Sequence, residues 1–215
     1  MKQIAELISF NMPTLSEEEW AARDAEIAKR HADEESQREI AKAGARRRDF
    51  YDRGFTVRAL ESAQAADESK PAIARIKAWD VNAESILVLS GPAGCGKTVA
   101  ATWWAWNRAP WAMFIRSTTF AASSRYNNEK RDAWFAAGAL VLDDLGTEFA
   151  DSKGNYQVDL DELVDVFYGD RRPLVITTNC TLASFKDRYG SRITDRVREC
   201  GSWFSIATES LRRKP

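Results

Sequence analysis

A run of apolar residues, Ile86-Leu-Val-Leu-Ser90, opens directly into Gly91-Pro-Ala-Gly-Cys-Gly-Lys97-Thr98. This is a buried-strand pattern followed by G-x-x-x-x-G-K-T, and few backbones accommodate it. The glycines let backbone N–H groups turn inward onto phosphate oxygens, and the helix that must follow presents the positive end of its dipole. Along Gly91, Pro92, Ala93, Gly94, Cys95, Gly96, Lys97, Thr98 and Val99 the chain is therefore expected to wrap the phosphates of a nucleotide. Lys97 is expected to reach the β- and γ-phosphates, and the Thr98 hydroxyl to sit on Mg²⁺. Cys95 reads as a small side chain that fits the tight turn, not as a nucleophile.

The chain of 215 residues has room for one full domain and a small second one. A formal net charge of −1 advertises no global attraction to nucleic acid or to an anionic membrane. The three cysteines, Cys95, Cys180 and Cys200, are odd in number and far apart, as in a reduced compartment. A single histidine, His31, and the lack of a C-x-x-C pair argue against a zinc module. Met1-Lys-Gln-Ile-Ala-Glu-Leu-Ile carries an acid where a secretory leader is apolar, and no apolar run reaches transmembrane length. The expected location is the cytoplasm, with no membrane partner.

Texture changes along the chain. From Ser16 to Tyr51 it is dense in Glu, Arg, Lys and Ala, and Ser16 with Glu19 forms a capping-box pattern. Trp20, Ile27 and Ile40 are too sparse for a core-facing stripe, which predicts a solvated helix or helical pair whose apolar positions meet a partner. Arg46-Arg47-Arg48 reads first as solvated surface and only second as a nucleic-acid contact. Ala63 to Pro71 is polar and proline-ended, the expected linker. The domain division is accordingly 1–66 and 67–215.

Beyond Pro71 strands and helices alternate, the pattern of a parallel sheet covered by helices. Strands are expected near 86–90, 112–116, 139–143, 173–177 and 203–207. Helices are expected near 71–79, 97–108, 118–124, 129–137, 158–168, 182–188 and 191–199. Trp103, Trp104 and Trp106 follow the glycine-rich loop on its helix and read as core or interface packing rather than a base-stacking platform.

Three further motifs follow in order. Ala139-Leu-Val-Leu-Asp143-Asp144-Leu-Gly is an apolar strand ending in two acids, which sets a carboxylate beside the loop's Mg²⁺. Asp143 is the expected metal ligand, through water, and Asp144 the group that orients or deprotonates an attacking water. Leu174-Val-Ile-Thr-Thr-Asn179 is a second such strand, and Asn179 is expected to hydrogen-bond the γ-phosphate or that water. Arg192 and Arg196, four apart, share one helix face; they read either as a charge-stabilising finger or as a surface face neutralised by Asp195. Arg212 closes the last strand pattern and is placed to approach nucleotide.

This order of motifs resembles the AAA+ ATPases of the DnaC/DnaI helicase-loader and IstB transposition-helper group. Glu209-Ser-Leu-Arg212 is similar to the Glu-Ser-Tyr-Arg ending of the IstB branch, and Arg47 to Arg58 is similar to the group's Gly-x-Pro-x-Arg lead-in, with Val57 near the usual proline. The resemblance covers residues 50–215. It implies an AAA+ P-loop NTPase core of α/β class: a parallel five-stranded sheet flanked by helices, a minimal lid, and a small α-helical N-terminal region. It implies ATP and Mg²⁺ as ligands, Asn179 as sensor 1, Arg196 (less so Arg192) as a finger reaching a neighbouring subunit, and Arg212 as a sensor 2-like arginine. Asp144 stands where most of the group has Glu, which implies slower hydrolysis, and the chain ends soon after Arg212, where a helical lid usually follows.

The implied function is an ATP-dependent loader of a replicative helicase onto single-stranded DNA, self-associating through the finger and holding the helicase by its N-terminal helical region. Its setting is a bacterial cell, or a bacterial host cell if the chain is phage-encoded. Two alternatives remain open from sequence: an IstB-type transposition helper acting on duplex DNA, and a weakly hydrolysing ATP-gated adaptor.

Overall fold

The computed structural model describes residues 16–123, 128–148 and 155–207. It divides into two compact units, Met1–Arg48 and Asp49–Pro215. In the first, helix α1 (Glu17–Asp52, which runs into the second unit) begins with the capping box: Ser16 N–H donates to Glu19 Oε2 at 2.8 Å and Glu19 N–H to Ser16 Oγ at 3.3 Å. None of this unit's described residues is buried. Its helix is lined by ion pairs one turn apart, Arg30–Glu34 at 4.0 Å, Arg38–Glu34 at 3.9 Å and Lys42–Glu39 at 2.8 Å. Such exposed pairs each contribute only a few tenths of a kcal/mol, about what keeps a solvated helix formed.

The second unit is an α/β/α sandwich. After α2 (Val57–Gln64) and α3 (Pro71–Lys77) come β1 (Ile86–Ser90), α4 (Lys97–Arg108), β2 (Met113–Arg116), α5 (Ser117–Ser123) and α6 (Asn128–Phe135). Then follow β3 (Leu140–Leu145), α7 (Asn155–Gly169), β4 (Leu174–Thr178), α8 (Leu182–Tyr189), α9 (Ser191–Cys200) and β5 (Gly201–Ser205). The five strands are all parallel in the order β2-β3-β4-β1-β5.

Both faces of the sheet are covered, which is why its central strands β1, β3 and β4 begin as continuous apolar runs rather than alternating ones. Leu87, Leu89, Val141 and Val175 point to one face, where α2, α3 and α4 supply Leu60, Ile73, Ile76 and Trp104. Ile86, Val88, Leu140, Leu142, Leu174 and Ile176 point to the other, against Leu163, Phe167, Phe185, Ile193 and Val197 of α7, α8 and α9. Trp103 and Trp104 are core residues, 8% and 1% exposed, and Trp106 packs against Phe50 at a ring distance of 4.9 Å.

Several elements depart from the sequence expectation. Helix α2 was not expected: Thr56 caps it by accepting from Ala59 N–H at 3.2 Å, and Ala59, Leu60 and Ala63 bury one face of it. The expected domain boundary at residue 66 follows α2, and α2 packs in this unit with α4. Strand β5 starts at Gly201, two residues before the expected 203, because Gly201 pairs with Ile86; a Cβ there would lie 2.3 Å from Ile86 O. Strand β3 runs on to Leu145, taking both acids into the strand.

Where α1 ends, Gly54 adopts φ +96°, and a Cβ on it would sit 2.2 Å from the carbonyl oxygen of Phe114. The turn is thus pressed onto β2, with Phe114 N–H bonded to Arg53 O at 2.9 Å. Phe50, fully buried beside Phe55 and Trp106, is the first core residue of the unit. Phe50→Ala should lower stability by about 3–5 kcal/mol in chemical denaturation, whereas Ile40→Ala, at a 70% exposed position, should change it by less than about 0.5 kcal/mol.

Candidate nucleotide-binding site

The strand order puts the carboxyl ends of β1, β4 and β3 side by side, and the sequence motifs with them. Between β1 and α4 the glycine-rich loop turns through Gly94 at φ +86° and Gly96 at φ +93°, left-handed values that suit residues lacking Cβ. Lys97, only 6% exposed, folds back over the loop. Its ammonium donates to Gly91 O at 2.7 Å, Pro92 O at 2.9 Å and Asn179 Oδ1 at 2.9 Å. Cys95 is buried in the core cluster beneath Gly91, with Sγ 3.7 Å from the Lys97 ammonium. Pro92 and Ala93 form the exposed crest of the loop, and Val99, in the first turn of α4, packs against the core.

Asn179 joins the lysine to the acid pair, since its Nδ2 donates to Asp144 Oδ1 at 3.2 Å. The amide can face only one way here: an ammonium cannot accept and a carboxylate cannot donate. Asp144 itself is a non-glycine residue at φ +62°, within a register shift of β3 against β4 between Leu142 and Leu145. Such bulges re-aim a side chain beside a functional site.

The bulge is held by short side chains. Asp144 N–H donates to Thr177 Oγ1 at 2.9 Å, and Asp144 O accepts from Ser117 Oγ at 2.8 Å and Thr147 Oγ1 at 2.9 Å. Thr177 serves twice, because its hydroxyl also donates to Asp143 Oδ1 at 2.8 Å. The sequence offers no sign of this beyond a hydroxyl at a strand end.

Asp143 is 4% exposed and takes a second hydrogen bond on Oδ1 from Thr98 Oγ1 at 2.7 Å. Burial pushes its carboxyl above the usual range; the Thr98 and Thr177 bonds pull the other way, Asp144's charge adds to the rise and Arg116 offsets part of it. Arg116 ends β2 directly opposite Asp143.

These groups fit a nucleotide with Mg²⁺. The donor set is a loop of backbone N–H groups at a helix start, an ammonium, and the paired hydroxyl and carboxylate of Thr98 and Asp143. Mg²⁺ prefers hard oxygens and is commonly held by one or two carboxylates together with phosphate. Among the described residues no group of three or more His, Cys, Asp or Glu side chains is gathered to hold a metal.

Arg192 and Arg196 do lie on one face of α9, but not at the loop. Both guanidiniums pair with Asp165 of α7, and Arg196 also lies over the Tyr168 ring at 5.1 Å. Asp195 pairs instead with Arg198, at 3.8 Å. Arg212, with the Glu209-Ser-Leu-Arg212 ending, lies outside the described residues. Among the described residues no helix is long and apolar enough to cross a membrane.

Fold and motif geometry together define the class: an AAA+ P-loop NTPase fold, with a five-stranded parallel sheet and flanking helices. Solved structures of similar fold include DNA-replication proteins. The DnaC helicase loader superposes with a TM-score of 0.56 at 16% identity, over 70% of this chain and 99% of that one. DnaI matches at 0.57 and 17%, over 72% and 95%. The replication initiator DnaA bound to AMPPCP and single-stranded DNA matches at 0.53 and 18%, over 67% of this chain and 48% of that one. At these identities the likeness is one of fold, a DnaC-like AAA+ core. No family model and no curated protein matches the sequence.

The raised carboxyl of Asp143 has a measurable consequence. Between the ordinary carboxylate pKa and Asp143's higher one, the folded chain keeps a proton that the unfolded chain releases, so stability falls as pH rises through that interval. Asp143→Asn should flatten this slope and leave nucleotide-free stability at neutral pH equal or higher. It should also abolish the added thermal stability given by Mg²⁺ and an ATP analogue. Thermal unfolding at acidic and neutral pH, with and without the ligands, tests both halves.

Proposed function

We propose that this chain is an ATPase that works as a nucleotide-switched loader of a replicative DNA helicase onto single-stranded DNA. The observation that carries the ATPase part is the chain of contacts from Lys97 through Asn179 to Asp144. It links the group suited to the γ-phosphate with the group suited to the attacking water. On this reading the loop N–H groups and Lys97 hold the β- and γ-phosphates, while Thr98 and Asp143 hold Mg²⁺. Mg²⁺ supplies charge neutralisation on the phosphate oxygens. Asp144 orients the water or takes its proton, and Asn179 keeps that carboxylate aimed. The side chain of Asp144 is one methylene shorter than Glu and sits within the register shift of β3 against β4.

The replication part rests on the likeness of fold to DnaC and DnaI over nearly the whole of those chains. The near-neutral net charge also favours a protein-guided role over tracking of duplex phosphates. We assign the helicase contact to the N-terminal region, residues 1–66, whose Trp20 and Ile27 are large, apolar and exposed. ATP binding then stabilises an assembly completed by a neighbour's Arg196, or Arg192, and hydrolysis loosens it. Because a finger supplied in trans accelerates hydrolysis by about 10³-fold or more, the dilute chain should turn over slowly.

ATP hydrolysis by the full chain alone, with single-stranded DNA and with duplex DNA is the test, beside Arg196→Ala and Asp144→Asn. A low basal rate, raised by single strands and lost in both variants, is the expected result. Stimulation by duplex alone would move the assignment to an IstB-type transposition helper. ATP binding without turnover under every condition would identify an ATP-gated adaptor.

A further inference from the structure

The turn that follows the acid pair contains a buried charge the site above does not use. Glu148 has a side chain only 1% exposed, four residues beyond Asp144. Its Oε2 accepts from Gly146 N–H at 2.9 Å, and its Oε1 accepts from the Tyr189 hydroxyl and pairs with Arg188 at 3.1 Å. Arg188 donates in addition to the Glu148 carbonyl at 2.6 Å. Burial, together with the bond to Glu148, pushes the Tyr189 hydroxyl well above its usual range, so the phenol remains the donor and the carboxylate the acceptor.

Glu148 is buried but the Arg188 side chain is 38% exposed, so the pair by itself adds little stability. What it does supply is a fixed geometry, because each oxygen has its own directional partner. Besides the Asn179 amide on the Asp144 carboxylate, this turn is tied by hydroxyls: Thr177 on Asp144 N–H, Ser117 and Thr147 on Asp144 O, and Thr178 on Leu145 O at 2.6 Å. Among the described ties, Glu148 is the one that fastens the turn to α8, whose last two residues are Arg188 and Tyr189. Helix α8 starts at Leu182, three residues after Asn179, and leads through Gly190 into α9 with Arg192 and Arg196.

We infer that Glu148 is a positioning residue for ATP hydrolysis: it clamps the Asp144 turn to the end of α8 and so keeps the Asp144 carboxylate in register with Asn179. The inference rests on the ATPase reading above and adds to it a link between the acid turn and the helix pair that carries the candidate finger arginines. Glu148 touches neither phosphate nor water on this account; it acts through the backbone of Gly146 and the bulge at Asp144.

The test compares Glu148→Ala, Glu148→Asp and Glu148→Gln in the full chain by kcat, equilibrium affinity for a non-hydrolysable ATP analogue with Mg²⁺, thermal unfolding, and hydrogen exchange at Gly146. In the Ala and Asp variants kcat should fall roughly ten- to a hundredfold, the scale of a misplaced catalytic group, with analogue affinity within about threefold of wild type. Gln keeps the length and can still accept from Gly146 N–H, so it should recover most of the rate. Where the Ala variant does not fold, the Asp variant carries the same expectation. An unchanged kcat in a folded variant overturns the inference, as does a parallel fall in rate and affinity that Gln does not relieve. If the wild-type chain binds ATP but never hydrolyses it, the ATPase reading fails by itself. Exchange at Gly146 then decides the clamp: faster exchange in the variants upholds it, and unchanged protection overturns it.

Discussion

Everything at the carboxyl edge of the sheet depends on β4 lying between β1 and β3. Strand β4 is the fourth strand in sequence yet pairs on one side with β1, from Ile86↔Leu174 to Ser90↔Thr178, and on the other with β3. The insertion brings Asn179 within hydrogen-bond reach of Lys97 at the end of one neighbour and of Asp144 at the end of the other. It also lets a single hydroxyl, that of Thr177, touch both acids. Parallel strands joined by helices on both faces make this order possible.

The same edge concentrates the local costs of the fold. A carboxylate lies buried at Asp143, a non-glycine residue takes a left-handed backbone at Asp144, and a charge is buried at Glu148. A residue held as Asp144 is costs on the order of 1–3 kcal/mol and survives only where its surroundings over-determine it. Here they do, through hydroxyls from β4, from the start of α5 and from the turn itself. Departures from local preference gather at these residues, as expected where shape serves chemistry rather than stability, and Arg171, at φ +52° between α7 and β4, is a further one in the second unit.

Much of this was readable in the chain. The loop, the acid pair and the asparagine each end an apolar run, and strand ends in a parallel sheet share one edge, so their meeting follows from sequence and topology alone. What escaped was of two kinds. Helix α2 is only Val57–Gln64, so its buried Ala59, Leu60 and Ala63 gave too little periodicity to mark it. Partners distant in sequence were the other kind. The four-residue spacing of Arg192 and Arg196 correctly put them on one face, but Asp165, which holds both, comes from a different helix. Glu148 belongs to no motif in the sequence, and only the folded chain brings Arg188 and Tyr189 to it. The extra length of β3 belongs with these, since a register shift is a property of two strands and is written in neither.

The placement of these groups has a consequence for how such a chain can diverge. Strands β1, β4 and β3 each have a neighbour on both sides, whereas β2 and β5 each have one. The motif residues sit on the doubly flanked strands, where a change of register would have to be matched on two sides at once. The margins carry a looser condition, since β2 and β5 each answer to a single strand neighbour, although the Gly54 turn and Ser117 still hold the two ends of β2. A lineage descended from this chain is therefore free to remodel its flanks while the central three strands stay fixed. Related sequences should retain the order of loop, acids and asparagine long after the rest has drifted beyond easy alignment.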